Sequence, residues 1–360
     1  MWNKAFSGTR LADEPLLASE LLTLVGETLR ACLPITWEVR FLVAPQSSLD
    51  AIMVITAPDE SAARFAMELR QRIDPKDVPQ LLDAHKRRQT MDRLLVVAPF
   101  LGQQTRERLR AAGASYADAT GNFRLESDNP VAIIVLDGAS ANPWSESRAL
   151  RSLKGPTAGR VVRALCDFQP PFGIRELAQR SQTAAATVSR VVALLDREAL
   201  VTKVGRGMIT EIAWAALLRR WTQDYALVKS NVVRSFLEPR GLDTLLKKLA
   251  AAGLRHAVTG SLAAARIAPI APSRLAVIYV DDIEVAATSL KLRRTESGAN
   301  VLLVRPFDDV IYDRADSCEG VVYAALTQVV ADLLTSPGRG PAEGEELLRW
   351  MEGNEDVWRH

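Results

Sequence analysis

The spacing of apolar residues predicts that the chain begins with an α/β domain over residues 1–140. Apolar positions three and four apart indicate helices, short alternating stretches indicate strands, and a continuous apolar run indicates a buried parallel strand. In chain order the patterns predict a helix over residues 13–33, strands over 37–44, 50–56 and 63–70, a helix from Pro75 capped by Asp74, a buried strand over 92–101, a helix over 103–112 ended by Gly113, and extended segments over 115–126 and 131–138.

A turn-rich linker over residues 138–147 is followed by a change of pattern. Short helices and a hairpin predict a central winged helix-turn-helix domain over 148–226, and a third domain, again α/β, is predicted over 227–360. In chain order the predicted elements are helices over 157–167 and 174–180, the second helix of the helix-turn-helix, a hairpin over 200–212, helices over 214–225 and 242–252, strands over 275–279 and 300–305, and a helix over 322–334.

The second helix of the central domain carries a pattern that suits DNA recognition. Its apolar residues repeat at three and four positions and predict one buried stripe, namely Val188, Val191, Val192 and Leu195. The opposite face of this helix is predicted to carry Thr183, Thr187, Ser189 and Arg190. Because arginine can bridge guanine and threonine can meet base edges or phosphates, this face is typical of a helix that reads the major groove.

The hairpin after that helix is predicted to be a wing. Apolar residues alternate around the tip Gly205-Arg206-Gly207, so that Lys203 and Arg206 can reach a phosphate backbone. Residues 148–212 hold eleven Lys or Arg and five Asp or Glu, whereas the net charge of the whole chain is only +2. This local surplus favours double-stranded DNA as the partner over a winged-helix scaffold that serves only protein contacts.

Several stretches resemble one bacterial family. The segment from Arg175 through "TVSRVVALLDREALV", the hairpin and "WAALLRRWTQDY" is similar to the winged-helix part of AbiEi-like antitoxins of the type IV toxin-antitoxin class. The resemblance extends to "YADATGNFRL" and "VVADLLTSPGRGPAEGEELLRWM" and so covers most of the chain. It implies autorepression of an operon, with a nucleotidyltransferase-like toxin as a cognate partner.

An enzyme is an alternative in the first domain. The order of Asp50, Glu68 and Arg70 is similar to the Asp...Glu-x-Lys core of restriction-endonuclease-like folds, where two carboxylates hold a divalent metal. Arg70 stands where the lysine belongs and cannot readily take a proton, so an inactive fold is favoured. The polar group Tyr116, Asp118 and Asn122 is interpreted as structural bonding around a turn.

The third domain offers a second enzymatic alternative. "VTGSLAAARIAPIAPSRLAVIYVDD" is similar in outline to nucleotidyltransferases, which place Gly-Ser at a helix start and two metal-binding carboxylates shortly afterwards. Gly260 and Ser261 fit, but residues 273–276 lack the carboxylates, and Asp281 and Asp282 come too late. A degenerate nucleotidyltransferase-like domain is therefore predicted, with Gly260 and Ser261 as a weak anion site.

Other residues point to no further chemistry. The three cysteines are scattered, and the three histidines, His85, His256 and His360, lack partners for a metal or nucleophilic site. No cofactor or metal is therefore expected, and the acidic tail is interpreted as an amphipathic helix that docks on its own domain. Without a signal peptide or an apolar run that could span a bilayer, the chain is expected to be soluble, free of membrane, and located in the cytoplasm at the nucleoid.

The predicted fold class is thus α/β plus winged helix: a restriction-endonuclease-like domain, a winged helix-turn-helix and a degenerate nucleotidyltransferase-like domain. The predicted function is a sequence-specific, double-stranded-DNA-binding transcriptional regulator, a repressor without enzymatic activity, with a homodimer as a candidate assembly. The alternatives are a metal-dependent nuclease or nucleotidyltransferase, and a non-enzymatic nucleoprotein or DNA-maintenance factor.

Overall fold

The computed structural model describes residues 18–42, 50–143, 152–205 and 207–360. The chain is mixed α/β, with helices set against separate sheets, as the sequence predicted at this coarse level. Its contacts divide it into two compact units, Met1–Arg148 and Ala149–His360. The finer division into three domains stays a prediction.

The first unit holds a sheet of seven described strands in the order β1 to β7. Its elements are α1 (Ala18–Cys32), β1 (Glu38–Leu42), β2 (Ala51–Thr56), β3 (Ala62–Leu69), a 3-10 turn (Pro75–Asp77), α2 (Val78–Arg87), β4 (Arg93–Ala98), α3 (Gln103–Ala111), β5 (Ser115–Asp118), β6 (Phe123–Asp128) and β7 (Val131–Leu136). Strands β3, β4 and β5 run parallel and the other neighbours antiparallel.

Helices cover both faces of the middle of this sheet. Apolar residues of α1, such as Val25 and Leu29, pack with one row of strand residues that includes Leu95. The alternate row, which includes Leu94, packs with α2 and α3. Because β4 is covered on both faces, five of its six residues are buried, which confirms the continuous apolar run as a parallel strand.

The second unit begins with three helices and a hairpin, and continues into a seven-stranded sheet. Its elements are α4 (Pro156–Asp167), α5 (Ile174–Arg180), α6 (Ala185–Arg197), β8 (Val201–Val204), β9 (Met208–Ile212), α7 (Trp214–Trp221), α8 (Leu227–Ser230), β10 (Val232–Leu237), α9 (Leu242–Ala251), β11 (His256–Thr259), α10 (Gly260–Ala264), β12 (Ala276–Val280), α11 (Ile283–Ser289), β13 (Arg293–Arg294), β14 (Val301–Arg305), a 3-10 turn (Asp309–Tyr312), β15 (Asp316–Cys318), β16 (Val321–Tyr323), α12 (Leu326–Leu334), α13 (Gly340–Glu352) and α14 (Glu355–Trp358). The strand order is β13-β10-β14-β12-β11-β16-β15.

One hydrophobic core runs through the described part of this unit, from Leu153 to Met351. The end of the chain closes it, because the backbone N–H of His360 donates to the carbonyl of Asp167 (3.1 Å) and Trp214 donates through its indole Nε1 to Glu355 (2.6 Å). The acidic tail therefore docks on α4 and α7 as well as on α12, and not only on the residues after 227 as predicted.

Two sequence predictions about elements in this unit are wrong in detail. The helix predicted over 322–334 begins only at Leu326, because Val321–Tyr323 forms β16 beside β11. The helix predicted over 214–225 ends at Trp221, since Thr222 caps it and Tyr225 turns into the core. No helix among the described residues is long and apolar enough to cross a membrane.

Candidate nucleic-acid interface

Helices α5 and α6 are joined by a four-residue turn, residues 181–184, and bury a common stripe. The turn is tight because Gln182 adopts a positive φ of 49° and the backbone N–H of Thr183 donates to the carbonyl of Ala178 (2.9 Å). The stripe predicted on α6 is confirmed: Val188, Val191, Val192 and Leu195 are buried. This packing fixes which face of α6 turns outward.

The outward face of α6 carries short side chains and one arginine. Ser189 and Arg190 are exposed and Thr187 is half-buried. An Arg190 guanidinium nitrogen donates to the hydroxyl oxygen of Thr187 (3.2 Å), which holds the arginine along the helix surface. The prediction that Thr183 shares this face is wrong, because α6 begins at Ala185 and the Thr183 hydroxyl donates to the carbonyl of Ser181 in the turn (3.0 Å).

Strands β8 and β9 form the predicted hairpin, with Val204 opposite Met208. Glycines suit the tip because Gly205 and Gly207 both have positive φ values, 56° and 99°. The Lys203 ammonium lies 3.4 Å from Asp196 of α6 and is therefore already paired inside the unit. Arg206 lies outside the described residues.

Several basic residues of the segment 148–212 form ion pairs with carboxylates of the chain itself. Buried Arg163 pairs with Asp167 (3.2 Å), Arg160 pairs with Asp308 (2.8 Å), and Arg180 pairs with Glu176. Among the described residues of this segment, those that are exposed and lie outside any ion pair are Lys154, Arg175 and Arg190. The surface positive charge is therefore smaller than the sequence count indicates.

The predicted carboxylate group of the first unit does come together, but around arginines. Asp50 accepts from the backbone N–H of Leu69 (2.8 Å) and from Arg70 (3.2 Å). Arg70 also lies 2.6 Å from Glu68, so its guanidinium bridges the two carboxylates, and Arg88 of the α2 end reaches Glu68 from the other side. A pocket of about 360 Å³ opens beside Glu68 and Arg70. The guanidinium of Arg70 thus occupies the space between the two carboxylates.

Asp118 and Asn122 surround a turn, whereas Tyr116 packs in the hydrophobic cluster beside α2 and α3. The Asp118 carboxylate accepts from the backbone N–H groups of Leu101 (3.0 Å) and Thr120 (2.9 Å) and from the side-chain amide of Asn122 (2.8 Å). Asp118 and Asn122 are buried, and their hydrogen bonds hold the β5–β6 connection. This arrangement is structural bonding of the kind that the sequence indicated.

The Gly-Ser pair of the third predicted domain faces a carboxylate. The Ser261 hydroxyl donates to Glu343 of α13, which is buried and also lies 3.6 Å from Arg339. A negative group therefore already stands where an anion would bind Ser261. Asp282 is occupied as the N-cap of α11, accepting from two backbone N–H groups, and Asp281 pairs with Arg255 (3.5 Å).

His256 is a structural residue. It begins β11. Its Nδ1 lies 2.8 Å from the carbonyl of Leu254, and its Nε2 accepts from the backbone N–H of Val322 (3.0 Å). Burial lowers its pKa, although the Leu254 carbonyl opposes that shift, so the neutral ring is favoured.

The sequence missed the partners that define these sites. These partners are Arg88 opposite Glu68, Asp196 opposite Lys203 and Glu343 opposite Ser261, and each comes from a different segment of the chain from the residue that it contacts. Only Asp196 carried a local signal, because it lies on α6 immediately before the hairpin.

Comparison with known protein families, curated proteins and solved structures found no match.

Proposed function

We propose that the chain binds double-stranded DNA as a winged helix-turn-helix protein, with α6 in the major groove and the β8–β9 hairpin as the wing, and that it acts as a sequence-specific transcriptional regulator. The observation that carries this proposal is the two-sided α6. One face is locked into the core by Val188, Val191 and Leu195, so the opposite face presents Ser189 and Arg190 in a fixed direction. A rigid helix with short polar side chains and an arginine suits a groove reader.

The flanking regions are proposed to be inactive scaffolds. A hairpin followed by two parallel strands, with Asp50 immediately before β2 and Glu68 on the neighbouring β3, supports a restriction-endonuclease-like fold. Arg70 stays charged at the position where a nuclease needs a proton-accepting lysine, and Glu343 meets Ser261 in the nucleotidyltransferase-like part. The AbiEi-like resemblance supports autorepression with a toxin partner as the biological setting.

The first test is DNA binding by fluorescence anisotropy, with the promoter of the protein's own gene and a scrambled duplex, over a series of salt concentrations. Arg190→Ala should weaken promoter binding by about 1–3 kcal/mol and reduce the preference over the scrambled duplex. Arg206→Ala should weaken both duplexes equally and lower the salt slope by about one unit. Arg110→Ala, which removes an exposed arginine of α3, is the matched control and should change neither.

If Arg190→Ala weakens binding to the promoter and to the scrambled duplex equally, the protein is a nucleoprotein without sequence preference. If Arg190→Ala leaves the affinity for both unchanged, α6 is not part of the interface. Mapping bound sites across the genome distinguishes the same two cases in the cell. Incubation with plasmid DNA, or with labelled nucleotide and RNA, in the presence of magnesium or manganese tests the enzymatic alternatives. Turnover that is lost in Glu68→Ala would overturn the scaffold assignment.

A further inference from the structure

Strand β7 combines three exposed apolar side chains with a backbone edge that no other described strand covers. Val131, Ile133 and Val135 project from one face and are 76%, 71% and 51% exposed. Among the described strands β7 pairs only with β6, so alternate N–H and C=O groups along its other edge have no strand partner there. An exposed apolar edge strand is a template for pairing with another strand, and proteins normally protect such an edge.

The apolar row does not belong to the core of the first unit. Arg124, Glu126 and Asp128 of β6 lie directly beside Val135, Ile133 and Val131 on the same face. Arg124 pairs with Glu126, and Asp128 pairs with Arg93, so this charged row is satisfied within the unit. A solvated charged row therefore separates the apolar row of β7 from the helix-covered middle of the sheet.

We propose that β7 is a homodimer interface, in which two copies of the chain pair their β7 strands antiparallel about a two-fold axis through Ile133. This register keeps both apolar rows on one face, because directly opposed residues of an antiparallel pair point the same way. Ile133 then opposes Ile133 of the second copy, and Val131 opposes Val135. Two seven-stranded sheets become one continuous sheet, and the open edge disappears.

The residues of β7 and its two ends favour a second copy as the occupant, because they complement themselves in this register. Residues 130–136 contain no ionisable side chain, so self-pairing brings no like charges together along the ladder. Just beyond it the same register sets Asn129 opposite Asp137, whose side chain is exposed, and an amide can donate to that carboxylate. Pro130, which has no N–H to donate, falls opposite Leu136 and ends the ladder there. β-branched pairs such as Val131 with Val135 are the pairs that stabilise antiparallel sheets.

The interface concerns the first unit and does not depend on DNA binding, so it is tested on the full chain without DNA. Sedimentation equilibrium should give twice the chain mass of 39.4 kDa for the wild type. Ile133→Lys should raise the dimer dissociation constant by about a hundredfold or more, because it sets two lysines face to face. Ile35→Lys, the same change at a fully exposed residue outside the strands, is the matched control and should leave the dimer intact.

A charge swap separates interface loss from misfolding. Ile133→Lys and Ile133→Glu should each be monomeric alone, and an equimolar mixture should form a heterodimer, since the two-fold axis places Lys opposite Glu. With the exposed Cys32 and Cys318 changed to Ser, Ile133→Cys should form a symmetric disulfide on oxidation, and Ile35→Cys should not. A monomeric wild type, or a dimer that Ile133→Lys leaves unchanged, overturns the proposal. So does a mixture of Lys and Glu variants that stays monomeric.

Discussion

Glu68 of the first unit and Asp332 of the second are both buried carboxylates, and they are stabilised in opposite ways. Glu68 of β3 is 1% exposed and is flanked by the guanidinium groups of Arg70 and Arg88. Neither of its oxygens accepts a hydrogen bond of good geometry from a described residue, so its stabilisation comes from charge. Asp332 of α12 is completely buried, and its hydrogen-bond donors are all neutral.

The neutral donors around Asp332 come from four different elements or connections. Its oxygens accept from the hydroxyls of Tyr225 (2.6 Å), Thr259 (2.6 Å) and Tyr279 (2.9 Å), and from the side-chain amide of Gln328 (2.9 Å). The side-chain oxygen of Gln328 in turn accepts from Arg163 (3.2 Å). Arg163 is therefore linked to Asp332 indirectly, through the amide of Gln328. Burial raises the pKa of Asp332, although these hydrogen bonds lower it.

The difference separates two tasks that a buried acid can perform. Glu68 holds two cations in place at a pocket, and it tolerates poor hydrogen-bond geometry because the attraction between opposite charges depends weakly on angle. Asp332 fixes the orientation of tyrosines that belong to the common core, which requires directional bonds. The first arrangement is therefore electrostatic and local, and the second determines how α12 packs against β11 and β12.

The largest expected effect is that of Asp332→Ala. The change removes the acceptor of several buried donors and leaves a cavity among them, so the second unit should lose about 3–5 kcal/mol of its free energy of unfolding. Hydrogen-exchange mass spectrometry measures the loss locally, as reduced protection of α12, β11 and β12. Asp243→Ala, at an exposed acid of α9, is the control and should change protection by less than about 0.5 kcal/mol.

A smaller effect is expected from Glu68→Gln. Glutamine keeps the shape but removes the charge, and Arg88, with only 18% of its side chain exposed, loses that neighbouring anion. Arg70 is half-exposed and keeps Asp50, so the cost should be about 2 kcal/mol, below that of breaking a fully buried pair. Reduced amide protection should appear in β3 and β4 only. Equal loss of protection around α12 would show that the two carboxylates are not independent.

Local patterns in the sequence were sufficient for the elements on which both carboxylates lie. The strand pattern over 63–70, which became β3, and the helical periodicity over 322–334, of which 326–334 became α12, depend on neighbours only a few positions away. An aspartate inside the apolar stretch "VVADLL" was also a visible signal, because such an acid requires partners once the helix is buried.

The partners of the carboxylates could not be predicted, because they depend on how distant segments meet. Glu68 and Arg88 are joined by the connection through α2, and Asp332 meets Tyr225 across 107 residues. The identity of a partner also decides the chemistry. Asp50 and Glu68 alone were compatible with a metal site, whereas the bridging Arg70 shows how the structure neutralises them. The count of charges over 148–212 overestimated the positive charge at the surface for the same reason, since a count cannot separate buried Arg163 from exposed Arg190.

The smallest expected effect is that of Asp332→Asn, and it depends on pH. The tyrosine and threonine hydroxyls can rotate to suit an amide, so the cost near neutral pH should be about 1 kcal/mol or less. Because the folded-state pKa of Asp332 is raised above the usual 3.8, the wild type is favoured most below that value and loses this contribution as the pH rises through the folded-state pKa. Asparagine cannot titrate, so urea unfolding at a series of pH values from 4 to 7 should show the advantage of the wild type over the variant shrinking as the pH rises. An advantage that grows with pH would mean that the neutral donors lower the pKa of Asp332 more than burial raises it, and the contrast with Glu68 would then lie only in the geometry of the contacts.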